Sequence, residues 1–310
     1  MNADPRCSVI IPTYNTLDLL PHAVASVRMQ GVEDIEILVI DDASTDGTAE
    51  WLAAEASRDP RVVPLHSERR GPSHTRNLAI FQARAPIVAF LDADDAWWPM
   101  KLERALAFHE GRPDVAFSFT DYLHVGPHGD VRRTCFDYWR PPYVDRETSD
   151  FKVVTDAELE LLAVNVVGTS TVVASRQALQ NANGFAAASR SAEDWELWLR
   201  LAARGPVACS SATTTTYLMR PTSVTSNKDA RIAAMRAIVE PYSNRTDKRA
   251  RQALRQATAR IDTAEGEQAR ALGDYWGAAR AHLRSFMRWP MPRTARAAAS
   301  DLLAACTKAA

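Results

Sequence analysis

No stretch of this 310-residue chain approaches the roughly 18 consecutive apolar residues of a membrane-spanning helix. Its opening, Met1-Asn2-Ala3-Asp4, has neither the basic nor the apolar segment of a secretory signal. Cysteine is scarce. Cys7, Cys135, Cys209 and Cys306 are scattered with no paired spacing, which argues against a zinc centre and against a disulfide framework. Together these absences predict a protein of the reduced cytosol. Apolar and charged fractions of 46% and 24% are those of an ordinary globular protein. The length suits one large domain with an appendage better than two equal domains. The net charge of −1 conceals an asymmetry: residues 228–310 carry 16 Lys and Arg against 8 Asp and Glu, whereas residues 1–227 carry 21 against 30. A basic tail on an acidic body reads as a solvated arginine-rich helix face, or as a patch for a membrane surface or an acidic partner.

What is present is organised around Phe90-Leu91-Asp92-Ala93-Asp94-Asp95-Ala96-Trp97-Trp98-Pro99, directly after the apolar run Ile87-Val88-Ala89. Three carboxylates within four positions repel one another and are costly to desolvate, so a compensating cation or water is needed there. Asp92 and Asp94, two apart, point to one side of an extended backbone, a spacing suited to Mg²⁺ or Mn²⁺ carrying phosphates. A solvated acidic turn is the plainer alternative.

Upstream, Ser8-Val9-Ile10-Ile11 reads as a strand stopped by Pro12-Thr13-Tyr14-Asn15. Leu17, Leu20, Val24 and Val27 mark a helix that ends at Gly31. A second strand, Ile35–Ile40, runs into Asp41-Asp42-Ala43-Ser44-Thr45-Asp46-Gly47-Thr48. Strand, helix and strand make a parallel crossover, and such sheets bind ligands beyond the carboxyl ends of their strands. Tyr14, Asp41/Asp42 and Asp92/Asp94 all fall there. Tyr14 could instead be a rim aromatic, and Asp46 is read as a cap of the helix holding Trp51 and Leu52. Pro72 suits the first turn of the next helix, and Arg76 lies one turn in, placed for a phosphate or an acidic cluster.

Ser8–Asn15, Val39–Thr48, Gly71–Ile80 and Phe90–Pro99 resemble, in order and spacing, the successive signatures of family-2 glycosyltransferases of the GT-A fold, here of a bacterial type with a helical C-terminal extension. The resemblance implies an α/β fold: a Rossmann-like mixed sheet flanked by helices at residues 1–227, and a C-terminal α-helical appendage at 228–310. It implies that Pro12, Tyr14, Asp42, Arg76, Asp92 and Ala93 bind a nucleotide-sugar donor. Tyr14 would flank the base, and Asp42 would accept the pyrimidine N3–H, favouring UDP- or dTDP-sugars. Asp94, assisted by Asp92, would bind Mn²⁺ or Mg²⁺.

Farther on, Val115–Phe119 reads as a strand, Gly126-Pro127-His128-Gly129 as a hairpin turn, and Cys135–Tyr143 as an irregular aromatic stretch that contributes to the acceptor site. Asn165–Val173 reads as another strand, followed by a helix through Leu179 that stops near Asn183-Gly184. Ser191 and Asp194 have capping-box spacing before a helix with Leu197 and Leu201 on its apolar face. The resemblance adds that Glu193 and Asp194 match the catalytic pair, with Asp194 as general base. It also places Arg220, in Tyr217-Leu218-Met219-Arg220-Pro221-Thr222-Ser223-Val224-Thr225, where the family has His. A guanidinium can bind a leaving diphosphate bidentately but cannot ligate a metal. Asn183-Gly184-Phe185-Ala186, where Gly-Gly-Phe-Asp is common, marks an atypical acceptor loop.

Beyond Lys228 the composition turns to Ala and Arg. Leu254 and Ile261 on one helix, and a stripe of Trp276, Ala279, Leu283, Phe286 and Met287 on another, predict a helical pair turning at Gly273-Asp274-Tyr275. It resembles a single tetratricopeptide unit. The combined expectation is an inverting, metal-dependent transferase acting on a glycan, lipid-linked or small-molecule acceptor in polysaccharide or glycoconjugate synthesis. It would be cytoplasmic, with no nucleic acid partner; peripheral contact of the basic C-terminal helices with the inner membrane face and homo-oligomerisation are left open. A nucleotidyltransferase would carry a glycine-rich basic loop where Pro12-Thr13-Tyr14-Asn15 stands. The alternative from another class is a catalytically silent module that binds a nucleotide sugar or scaffolds glycan assembly.

Overall fold

Two central strands, β1 (Cys7–Thr13) and β2 (Ile35–Asp41), are buried along nearly their whole length in the computed structural model, as continuous apolar runs covered on both faces must be. Residues 4–186, 191–220 and 227–309 are described; Met1–Ala3 and Pro221–Thr225 lie outside them. The remaining strands are β3 (Val62–His66), β4 (Ile87–Phe90), β5 (Ala96–Trp97), β6 (Phe117–Val125), β7 (Val131–Thr134), β8 (Lys152–Val153), β9 (Val173–Ser175) and β10 (Val207–Leu218). They form one mixed sheet in the order β3-β2-β1-β4-β9-β6-β10-β5, with β7 on β6 and β8 on β10. Pairs β1/β2, β2/β3, β1/β4 and β6/β10 are parallel, and β9 runs antiparallel to both β4 and β6.

Helices Leu20–Arg28, Thr48–Arg58 and Pro72–Gln82 connect the four parallel strands. The chain steps outward from β1 through β2 to β3 and returns to β4 on the other side of β1, which creates a switch point between β1 and β4. Polar loops that leave β1, β2 and β4 at their carboxyl ends therefore converge beside that point. Thr13 is in register with Asp41, and Leu91 N donates to Ile10 O at 3.0 Å.

By contact the chain divides into two compact units. One comprises Met1–Glu158, Val166–Ala188 and Glu193–Pro221 and holds the sheet; the other comprises Leu159–Asn165, Ser189–Ala192 and Thr222–Ala310. In the second, Lys248–Ala271 and Tyr275–Arg288 are the expected helical pair, accompanied by Lys228–Val239 and Pro292–Ala309. Of the expected apolar stripe, however, only Ala279 is buried and Phe286 half-buried: Trp276 is 51%, Leu283 48% and Met287 63% exposed. The buried face of that helix is Ala278, Ala279, Ala281, His282 and Ser285. The His282 imidazole packs over Gly266, where an added Cβ would lie 2.6 Å from Nε2. Among the described residues no helix is long and apolar enough to cross a membrane.

Two other readings need correction, and one strand has no reading at all. Residues 62–66 form an edge strand that sequence alone does not reveal, because Pro64 demotes the apolar run except at a sheet edge. Cys135–Trp139 is a short helix rather than irregular chain; Thr134 Oγ1 accepts from Asp137 N at 3.2 Å and Asp121 Oδ1 from Phe136 N at 2.9 Å, capping its start. Asn165–Val173 is not a strand. Thr169–Thr171 forms a 3₁₀ turn in which Thr171 Oγ1 donates to Gly168 O at 2.7 Å, and pairing begins only at Val173.

One buried cation stands inside the core of the first unit. Lys101 opens the helix Lys101–Gly111 and is 2% exposed; its Nζ has no hydrogen-bond partner and lies 3.9 Å from the centre of the Trp97 ring. Burial lowers its pKa from the ordinary 10.5 to about 7. Between those two values the unfolded chain holds a proton that the folded chain does not, so this group makes stability rise with pH across that window and penalises the fold fully below it. Lys101→Met is therefore expected to melt above the native protein at pH 7, with the difference shrinking toward pH 10. A pH-independent difference in melting temperature would contradict this.

Candidate functional site

The acid loop that leaves β4 is held from three directions. Asp92 N donates to Ser170 Oγ at 3.0 Å, Ser170 Oγ donates to Asp95 Oδ2 at 2.5 Å, and Trp97 Nε1 donates to Ser170 O at 2.7 Å. Asp95 Oδ1 accepts from Leu218 N, at the end of β10, at 3.1 Å. Asp95, only 4% exposed, thus joins strand and turn, and its pKa is raised well above the usual carboxylate range by burial and then by Asp92 and Asp94. Sequence reasoning missed Ser170 because it was placed inside a strand. The run Thr169-Ser170-Thr171 between valines is the signal, since hydroxyls compete for backbone groups and favour a turn.

The two outer carboxylates each meet an arginine. Asp92 Oδ1 lies 2.6 Å from Arg76 Nη2, and Asp94 Oδ2 accepts from Arg220 Nε at 2.8 Å and Nη2 at 2.7 Å. Burial and the neighbouring Asp92 raise the pKa of Asp94, which Arg220 opposes. Arg76 also reaches Glu193 Oε1 at 3.4 Å, on the first turn of the helix Glu193–Ala202. This guanidinium is the link that brings the expected base, Asp194, to the acid loop. Asp194 accepts from Trp195 N at 2.7 Å and from Thr169 Oγ1 at 3.4 Å. Its pKa is raised to about 6 by burial and Glu193, against the pull of the Trp195 N–H and Arg76. Arg76 is itself supported by Phe185, whose ring centre lies 5.3 Å from its Cζ. Phe185 in turn is clamped by Asn77, which accepts from Phe185 N at 2.7 Å and donates to Phe185 O at 2.8 Å. Asn77 escaped the sequence reading; a Cβ on the preceding Gly184 would collide with its amide.

The expected base-binding edge is built from the loops after β1 and β2. Tyr14 and Pro12 are half-buried and Ala93 is buried. The Tyr14 ring carries Arg69 over it at 4.4 Å. Asp42 accepts Arg70 N at 2.9 Å with one oxygen and Gly71 N at 2.7 Å with the other, fixing the entry into the helix Pro72–Gln82, where Gly71 has a φ of +85°. Each oxygen retains a further lone pair for a ligand donor. Asp46 is not the expected helix cap, because Gly47 holds that position with no side-chain cap bond; Asp46 instead accepts from Thr48 Oγ1 at 2.6 Å and Leu17 N at 3.0 Å and so ties the two loops together.

Asp92, Asp94, Asp95, Glu193 and Asp194 thus share a small volume with two guanidiniums, an excess of negative charge that suits a cation. Among the described residues no three His, Cys, Asp or Glu side chains converge on one point. That still fits Mg²⁺ or Mn²⁺, which are held by one or two carboxylates completed by substrate phosphates and water.

The family model described as Glycosyl transferase family 2 matches residues 8–160. An uncharacterised glycosyltransferase of Rickettsia felis is 31% identical over 204 residues, which is 66% of this chain but only 31% of that protein. WfaP of Escherichia coli, a UDP-Glc:alpha-D-GlcNAc-diphosphoundecaprenol beta-1,3-glucosyltransferase, is 28% identical over 71% of this chain and 80% of its own. Among solved structures, Staphylococcus aureus TarS 1–349 in complex with UDP-GlcNAc has a TM-score of 0.65 at 20% identity, covering 96% of this chain and 89% of that one. The mannosyltransferase PcManGT of Pyrobaculum calidifontis, in complex with GDP-Man and Mn²⁺, has a TM-score of 0.62 at 20% identity, covering 98% and 81%. These likenesses identify the fold as GT-A.

Asp95 supports the site from behind, and removing it leaves the Ser170 hydroxyl and the Leu218 N–H without their acceptor. Asp95→Ala is expected to cost about 1–3 kcal/mol of unfolding free energy, and Asp95→Asn, which keeps an acceptor for Leu218, distinctly less. Urea unfolding measures both. An alanine variant as stable as the native chain would mean that relief of like-charge repulsion outweighs these bonds.

Proposed function

We infer, because this chain belongs to glycosyl transferase family 2, that it transfers a sugar from a nucleoside-diphosphate donor to an acceptor hydroxyl with inversion at the anomeric carbon. The observation that carries this reading is Arg76, which ties Asp92 of the acid loop to Glu193 and so sets Asp194 beside the expected diphosphate site. A carboxylate with a pKa of about 6 is ionised at neutral pH yet basic enough to take a proton from a hydroxyl as that oxygen attacks.

In this reading Tyr14 flanks the base, and Asp42 accepts from a uracil or thymine N3–H beside the Arg70 and Gly71 amides. Pro12 and Ala93 line the donor site, and Arg76 keeps Asp92 and Glu193 in place. A bound Mn²⁺ or Mg²⁺ on Asp94, with Asp92 nearby, supplies neutralisation of the leaving diphosphate. Arg220 offers its planar fork to the same diphosphate. Donor and acceptor gain from being held in line by a rigid strand-end scaffold. The UDP-linked substrates named for WfaP and TarS support a pyrimidine donor and a glycan or lipid-linked acceptor, in polysaccharide or glycoconjugate synthesis. The work would be done by residues 1–227, in the cytoplasm, with the basic helices of 228–310 as the surface for peripheral membrane contact.

The pairing of Arg220 with Asp94 favours a second reading, a silent module that binds the nucleotide sugar without turning it over. Asp194→Asn separates the two. Under the enzymatic reading, native protein with Mn²⁺ and a UDP- or dTDP-sugar releases the nucleoside diphosphate, and the variant is slower by about 10²–10⁴-fold while its thermal shift with donor persists. The rate should rise with pH through an apparent pKa near 6, because the base acts only when deprotonated. Donor binding with no turnover by the native protein on any acceptor class would support the silent module. No thermal shift with UDP-, dTDP- or GDP-sugars would sink both.

A further inference from the structure

The two arginine–aspartate pairs of the site differ in a way that the donor reading leaves unexplained. The difference lies in the arginines: the Arg76 side chain is 8% exposed and backed by Phe185, although its partner Asp92 is 28% exposed. The Arg220–Asp94 pair lies at the rim, with side-chain exposures of 27% and 20%. A partly solvated pair is weak and open to exchange, whereas a buried one that lost a partner would strand a desolvated charge.

The backbone leading to Arg220 does not depend on this pair. Leu218 N is held by Asp95, and Met219 N donates to Val125 O at 2.8 Å. The guanidinium can therefore leave Asp94 by side-chain rotation while the strand end stays fixed. Both of its donating nitrogens converge on one oxygen, Asp94 Oδ2, of the carboxylate expected to hold the divalent cation. A cation that took this oxygen alone would leave a permanently charged guanidinium facing a dication. A nucleoside diphosphate that arrived alone would meet the surrounding carboxylates. Arriving together, they would leave no charge unpaired: Asp94 would hold the metal, whose charge would offset the diphosphate, and the freed fork of Arg220 would meet phosphate oxygens, its best geometric match.

We propose that Arg220 is a place-holding cation on Asp94 that exchanges onto the donor diphosphate when the divalent ion takes Asp94, so that metal and nucleoside diphosphate bind only as a pair. The proposal rests on the donor reading above and adds an order to it. The chain carries its own counter-ion at the metal position and surrenders it only to a ligand that offers the guanidinium a new partner.

The test is Mn²⁺ binding, read from the electron paramagnetic resonance signal of the free ion, with and without UDP, for the native protein, Arg220→Met and Arg220→Lys, all checked for native melting. The native protein should bind Mn²⁺ weakly alone and at least about tenfold more tightly with UDP, a coupling of ordinary size. Arg220→Met should bind Mn²⁺ about tenfold more tightly than native without UDP and gain less from UDP. Arg220→Lys, which keeps the charge and loses the fork, should exclude Mn²⁺ as the native protein does yet gain less from UDP; it also serves should the methionine variant not fold. Equal Mn²⁺ affinity of native and Arg220→Met without UDP, with an undiminished gain from UDP in both, would overturn the exchange and leave the donor site standing. No gain from UDP in the native protein would overturn the exchange and the donor reading together.

Discussion

Like charges crowded at the carboxyl ends of a parallel sheet are the constraint to which the rest of the first unit answers. Asp92, Asp94 and Asp95 follow β4 so closely that none can avoid the others, and Glu193 and Asp194 enter from a helix start. Such a cluster persists only where each carboxylate has its own compensation. Asp95 is sealed into the interior with a serine hydroxyl and a backbone amide, its pKa driven up. Asp92 shares the buried Arg76 with Glu193. Asp94, at the rim, takes Arg220. Asp95 is thus the buried member of the three, and Asp92 and Asp94, with side-chain exposures of 28% and 20%, are the partly solvated ones.

Rigidity is supplied by side chains that hold the backbone around the carboxylates. Ser170 takes the Asp92 amide and gives its proton to Asp95, and Asn77 fixes Phe185 beneath Arg76. Asp42 spends both oxygens on the amides that begin the helix carrying Arg76. The residue expected to read a base thus also positions the residue that organises the acids, so base edge and acid loop are mechanically joined through one helix.

The second unit obeys a different rule. The buried face of Tyr275–Arg288 is mostly alanine and serine around His282, and Trp276, Leu283 and Met287 are left outside. A sequence stripe of Trp276, Leu283 and Met287 looks like a core face because bulk usually lies inward. Here the face of small residues around His282 is the buried one, and periodicity alone cannot tell which of two apolar faces has a neighbour.

The sequence by itself determined the strands at β1, β2 and β4, the helices between them and the polar loops at their ends, because those follow from local periodicity and turn chemistry. Their order and spacing were enough to recognise the family and nominate Asp94 and Asp194. Only the tertiary structure decided which acid meets which arginine. Arg220 and Asp94 are 126 residues apart, Arg76 and Glu193 117, and Ser170 and Asp92 78. Pairings at such separations are set by how the sheet is ordered and where β9 and β10 are inserted, and no local pattern of residues encodes that.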